Sequence, residues 1–185
     1  IKSSRRDTGG VDVTVHPRFS ENRFVYVAYW KPKPGNERLR TAAIVRARLD
    51  GYKLTDVREI FESASWTDGP SAARLLFGPD GKLYVGIGAP GFKESLGETT
   101  WAQDPEHHGG KILRLNEDGT VPADNPFVGR SGYKPEIFAL GIRNAIGMAF
   151  HPQTGELWET ENGPQGGDEI NIIRRGLNYG WPVIT

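Results

Sequence analysis

Apolar and polar residues alternate along most of this chain with a period of two, as in half-buried β-strands. One unit recurs three times: an apolar residue, a turn containing proline and often glycine, then an alternating strand. It appears as Val15-His16-Pro17 leading into Phe24 to Tyr29, as Phe77-Gly78-Pro79-Asp80-Gly81 leading into Lys82 to Gly86, and as Phe150-His151-Pro152-Gln153-Thr154-Gly155 leading into Glu156 to Glu159. Pro-Asp-Gly and Gln-Thr-Gly are hairpin signals. A second unit interleaves with the first. Ala43 to Leu49 and Ile112 to Leu115 are strands that each run on to an Asp-Gly turn, at Asp50-Gly51 and Asp118-Gly119. Few segments keep apolar residues at helical spacing for three turns, and glycine interrupts most of them.

Successive copies of either unit lie on the order of 60 to 70 residues apart, a long blade compared with a WD40 repeat. A β-sandwich shows turn signals at short regular spacing without such a repeat. The pattern therefore predicts an all-β chain, a fragment of about three blades of a β-propeller. Propeller rings close with about four to eight blades. Residues 1–185 are accordingly read as a partial propeller domain, truncated at both ends.

Composition narrows the function classes. Lys plus Arg number 23 and Asp plus Glu 23, giving no net charge and no electrostatic footprint for nucleic acid or an anionic membrane. The pairs Arg5-Arg6 and Arg174-Arg175 read as solvated surface. There are no cysteines, so disulfides and thiolate metal sites are excluded. The longest apolar run, Ile137 to Phe150, is broken by Arg143 and Asn144 and falls short of a membrane span.

Three segments carry candidate chemistry. Thr160 to Pro182 (TENGPQGGDEINIIRRGLNYGWP) places glycines, a proline and acids in a loop between a strand ending near Glu159 and a strand from Glu169 to Ile173. Carbonyls freed by a tight Gly-Pro turn suit a hard cation such as Ca2+; an acidic turn capped by its own Asp and Asn side chains is the competing explanation. In Gly141-Ile142-Arg143-Asn144, the guanidinium fork suits a carboxylate or an oxidised ring, or equally a salt bridge between blades. His107-His108 could serve as base or ligand, but the pair lacks a third ligand at zinc spacing. His16 and His151 occupy equivalent repeat positions and read as blade architecture. Signals for nucleotide, nicotinamide and serine-hydrolase chemistry are missing.

Five stretches together resemble the soluble PQQ-dependent sugar dehydrogenases, the glucose/sorbosone dehydrogenase family of six-bladed propellers. They are Gly9 to Tyr29 (GGVDVTVHPRFSENRFVYVAY), Ala73 to Gly88 (ARLLFGPDGKLYVGIG), Gly110 to Phe127 (GKILRLNEDGTVPADNPF), Glu136 to Pro152 (EIFALGIRNAIGMAFHP) and Glu161 to Pro182 (ENGPQGGDEINIIRRGLNYGWP). The resemblance implies oxidation of an aldose at C1, with hydride passed to pyrroloquinoline quinone (PQQ) and electrons to an external acceptor, and a periplasmic or secreted protein. It implies Ca2+ on the carbonyls of Gly163 and Pro164, and cofactor contacts from Arg143, Asn144 and Asp168. Further cationic contacts are expected beyond Thr185. Three positions depart from the family pattern. Pro70 stands where the catalytic histidine is expected, Ala89 where its orienting acid is expected, and Asp7 where glutamine is usual. Either another base serves, with Asp68, His107 and His108 as candidates, or the propeller binds a sugar, cofactor or protein partner without oxidation.

Overall fold

The computed structural model describes residues 10–69, 72–89, 98–164 and 166–184. Its strands form three antiparallel sheets, each a meander in chain order. The first blade contains β1 (Gly10–Val15), β2 (Phe24–Lys33), β3 (Asn36–Asp50) and β4 (Lys53–Glu62). The second contains β5 (Ala73–Phe77), β6 (Leu83–Ile87), β7 (Lys111–Leu115) and β8 (Ile137–Leu140). The third contains β9 (Ala145–Phe150), β10 (Leu157–Glu161) and β11 (Glu169–Ile173). This is the partial propeller that the repeat predicts. Helix among the described residues is limited to α1 (Phe19–Asn22) and a 3-10 turn, Glu98–Ala102. None is long and apolar enough to cross a membrane.

The burial pattern explains the sequence pattern. In β6 and β7 every residue is buried, because the second blade is covered on both faces. Leu83, Val85, Leu113 and Leu115 pack toward Tyr26, Ile44 and Phe61 of the first blade. Tyr84 and Ile112 pack the other way, toward Ala145, Leu157 and Ile173 of the third. In β10, Leu157, Glu159 and Glu161 are buried while Trp158 and Thr160 are exposed. The strand runs two residues past the predicted end, which makes Glu161 part of the ladder.

Polar struts join the blades. His16 Nε2 lies 2.7 Å from Glu117 Oε2, its Nδ1 accepts the Arg18 N–H at 3.0 Å, and its ring packs on Phe77. Asp12 accepts the Leu75 N–H at 2.8 Å. His151 Nδ1 accepts the Thr154 N–H at 3.1 Å, a turn brace. Both prolyl-flanked histidines are thus architecture. Gly119 has φ +87°, and a Cβ there would lie 1.9 Å from the Ile60 carbonyl oxygen. The Asp-Gly turn therefore also sets how closely two blades approach. Of the arginine pair, Arg174 and Arg175 are exposed, and Arg175 also donates to the Asp124 carbonyl at 2.7 Å.

Candidate active site

Antiparallel meanders send the loops after β4, β6, β8 and β10 to one end of their sheets. Backbone and side-chain bonds tie these loops together. The Ala89 N–H donates to the Arg143 carbonyl at 2.7 Å. The Ala72 N–H donates to Asn144 Oδ1 at 2.8 Å. The fold thus gathers Asp68, Ala89, Arg143, Asn144, Gly163, Pro164 and Asp168 at one end. Pro70 and Asp7 lie outside the described residues.

Glu161 organises the centre of this cluster. Its Oε2 accepts both the Arg143 N–H, at 2.5 Å, and the Asn144 N–H, at 3.2 Å. Burial pushes its carboxyl above the usual range, and the two N–H groups oppose that rise. The Arg143 side chain donates through Nη1 to the Asn162 carbonyl, and Asn144 Nδ2 donates to Asn162 Oδ1 at 2.8 Å. Arg143 is 5% exposed, and its Nε has no partner. Burial lowers its pKa from the ordinary value, against the pull of Glu161 and Asp168. The Trp181 ring centroid lies 5.3 Å from the guanidinium carbon. A cleft opens here between Arg143, the Gly163-Pro164 loop and Trp181.

The loop itself is tightly folded. Asp168 Oδ1 accepts the Gly163 N–H at 2.9 Å, bracing the turn. A Cβ on Gly163 would fall 1.8 Å from the Gly166 carbonyl oxygen, so glycine is required there. Among the described residues no group of three or more His, Asp or Glu side chains could hold a metal ion.

The same architecture defines the protein's relatives. The family model for glucose/sorbosone dehydrogenases matches residues 2–185. The chain belongs to that family. It is 38% identical over 181 residues to the aldose sugar dehydrogenase YliI of Escherichia coli, covering 96% of this chain and 47% of the relative. It is 36% identical over 204 residues to quinoprotein glucose dehydrogenase B of Acinetobacter calcoaceticus, covering all of this chain and 42% of the relative. The PQQ-bound aldose sugar dehydrogenase structure from Streptomyces coelicolor superposes with a TM-score of 0.80 at 30% identity, over 97% of this chain and 50% of that one. The chain thus spans about half the length of these glucose/sorbosone dehydrogenase relatives.

Within this family frame the candidate bases separate. His108 is 3% exposed and bridges blades: Nδ1 accepts the Ala64 N–H at 3.0 Å, Nε2 stands 3.6 Å from Glu136, and the ring packs on Phe61. Burial would raise the Glu136 carboxyl, but the His108 ring and backbone bonds hold it below the ordinary range. His107 stacks flat on Trp101 at 4.6 Å and lines a different cleft, with Glu106, Tyr133 and Lys134. Burial lowers its pKa, with Asp104 opposing. Asp68 is half-buried on the β4–β5 loop, at the end that holds Arg143. Sequence reasoning missed Glu161, Asn162 and Trp181 as site residues. The alternation Leu157, Glu159, Glu161 was the available signal, since it puts two acids on a strand's buried face.

Proposed function

We propose that this chain forms one side of the cofactor site of a PQQ-dependent aldose dehydrogenase. The observation that carries the proposal is the buried Arg143 guanidinium, with its unpaired Nε, beside the Gly163-Pro164 loop. A buried cationic fork with an open donor fits a ligand rich in carboxylate and carbonyl oxygen, and PQQ has three carboxylates and an ortho-quinone. Arg143 and Asn144 would hold the cofactor, and the carbonyls of Gly163 and Pro164 would hold Ca2+. Bound together, these groups supply a two-electron hydride acceptor and a Lewis acid at its reactive carbonyl.

The chain's own contribution is preorganisation. Glu161 fixes the backbone of Arg143 and Asn144, so both side chains are placed before any ligand arrives. Asn144 is held at both ends of its amide, by Ala72 and Asn162. Asp168 keeps the carbonyl loop folded. Asp68 is the base in this reading, taking the proton from the sugar hydroxyl, because His108 is committed to its strut and His107 faces another cleft. A periplasmic or secreted location and an external electron acceptor complete the proposal.

Ala89, a methyl group at the expected acid position, favours a second reading, in which the propeller binds sugar or cofactor without oxidising it. One experiment separates the two. Full-length protein with Ca2+ and PQQ is offered a panel of aldoses and a reducible dye. Sugar-dependent dye reduction, lost in Asp68→Asn at unchanged PQQ affinity, supports the enzyme. Cofactor binding without reduction supports the binding module. Absence of PQQ binding rejects both cofactor readings.

A further inference from the structure

Gln103 joins two segments that are distant in sequence. Its Nε2 donates to the Trp181 carbonyl at 2.6 Å and to Asn178 Oδ1 at 3.1 Å. Its Oε1 accepts from Asn178 Nδ2 at 2.7 Å. These bonds fix the orientation of the amide, since the Trp181 carbonyl can only accept. Gln103 itself follows the 3-10 turn Glu98–Ala102, which is held from two sides. Lys111, fully buried at the start of β7, donates Nζ to the Trp101 carbonyl and, at 3.0 Å, to the Gly109 carbonyl. The Gly141 N–H donates to the Ala102 carbonyl at 2.9 Å.

The other end of the connection is Trp181. Its N–H donates to the Gly141 carbonyl at 3.0 Å, so its backbone is pinned both to Gln103 and to the turn that leads into Arg143. Its ring faces the Arg143 guanidinium within cation–π range. Arg143 otherwise has one side-chain bond, to Asn162. The indole face and the Asn162 carbonyl therefore together limit rotation of the guanidinium about its last torsions.

We propose that Gln103 is a positioning residue for Arg143, acting through Trp181: the amide clamp on the 178–181 segment sets the indole, and the indole sets the guanidinium that grips the cofactor. The consequence for ligand binding rests on the PQQ reading above, whereas the link from Gln103 to Arg143 does not. The test therefore uses two readouts on full-length protein. The first is the Arg143 Nε–H resonance in a 15N–1H spectrum without cofactor, assigned by its disappearance in Arg143→Lys. In the wild type it should carry a ring-current shift from Trp181. Trp181→Leu should remove that shift, Trp181→Phe should keep much of it, and Gln103→Ala should move the resonance most of the way to the Trp181→Leu position.

The second readout is PQQ affinity in the presence of Ca2+. Gln103→Ala and Trp181→Leu should each weaken it roughly tenfold, and Trp181→Phe should recover most of the loss. An Arg143 resonance that is unshifted in the wild type, or unmoved by Gln103→Ala, overturns the proposal. So does an unchanged PQQ affinity in Gln103→Ala when the wild type binds. A wild type that shows the resonance pattern but binds no PQQ sinks the cofactor reading and leaves the positioning link standing. If Gln103→Ala proves unfolded, Gln103→Glu is used; it puts a carboxylate oxygen against the Trp181 carbonyl and should displace the resonance in the same direction.

Discussion

Glu159→Gln is the substitution with the clearest expected sign. Glu159 sits mid-strand in β10 at 1% exposure, with both carboxylate oxygens unbonded. Asn171 faces it across the ladder and pulls its pKa down in part, although the Asn171 amide also donates to Glu169 at 3.1 Å. Burial, then repulsion from Glu161 and Glu169, raises its pKa from 4.5 to about 8. The proton therefore stays on in the folded protein at neutral pH and leaves on unfolding. Its contribution to stability is complete below pH 4.5 and is lost as pH rises through about 8. The interval from 4.5 to about 8 corresponds to about 5 kcal/mol at about 1.4 kcal/mol per pH unit. Glutamine has the shape of the protonated acid and does not titrate. The stability gap between Glu159→Gln and wild type should widen in the variant's favour by about 3 kcal/mol from pH 5 to pH 7, and level off above pH 8 to 9. Equilibrium urea unfolding of full-length protein, followed by tryptophan fluorescence across that pH range, measures the gap. A gap independent of pH, or one that narrows with rising pH, refutes the reasoning.

Three further outcomes follow from particular contacts. Gly119→Ala drives a methyl group into the Ile60 carbonyl at a left-handed backbone position, and should cost about 3 kcal/mol in a melting or denaturant experiment. Gly163→Ala collides with the Gly166 carbonyl inside an exposed loop; calorimetric Ca2+ and PQQ titrations should show affinity falling more than about tenfold while the melting temperature barely moves. His108→Ala removes a buried ring and orphans the Ala64 N–H, so stability should drop by about 2 to 4 kcal/mol with turnover per folded molecule preserved. Lost turnover at unchanged stability would make His108 a base rather than a strut.

How much of the site could be read from sequence depends on what holds each residue. Arg143, Asn144, Gly163 and Pro164 stand in local motifs whose turns demand particular residue types, as Gly163 shows: its neighbour across the turn is only three residues away. The strands that frame them were legible for the same reason, since a two-residue period and a turn act over a few positions. Gln103 offered no such signal. Its partners lie 75 and 78 residues away, and only the docking of two blades' loops brings them together.

The histidine pair divides along the same line. Two adjacent histidines announce possible chemistry, but folding gives them different surroundings: Phe61 and Ala64 from the first blade for His108, and for His107 the Trp101 ring of its own loop and a separate cleft. By itself the sequence determined the blade repeat and the family, because these are written in short-range periodicity and motif. The tertiary structure alone placed the Glu161 carboxylate on the Arg143 and Asn144 N–H groups, buried Glu159 within β10, and set the His108 ring between Ala64, Glu136 and Phe61. Burial and long-range hydrogen bonding are properties of the packed blades, and they set what each side chain can do.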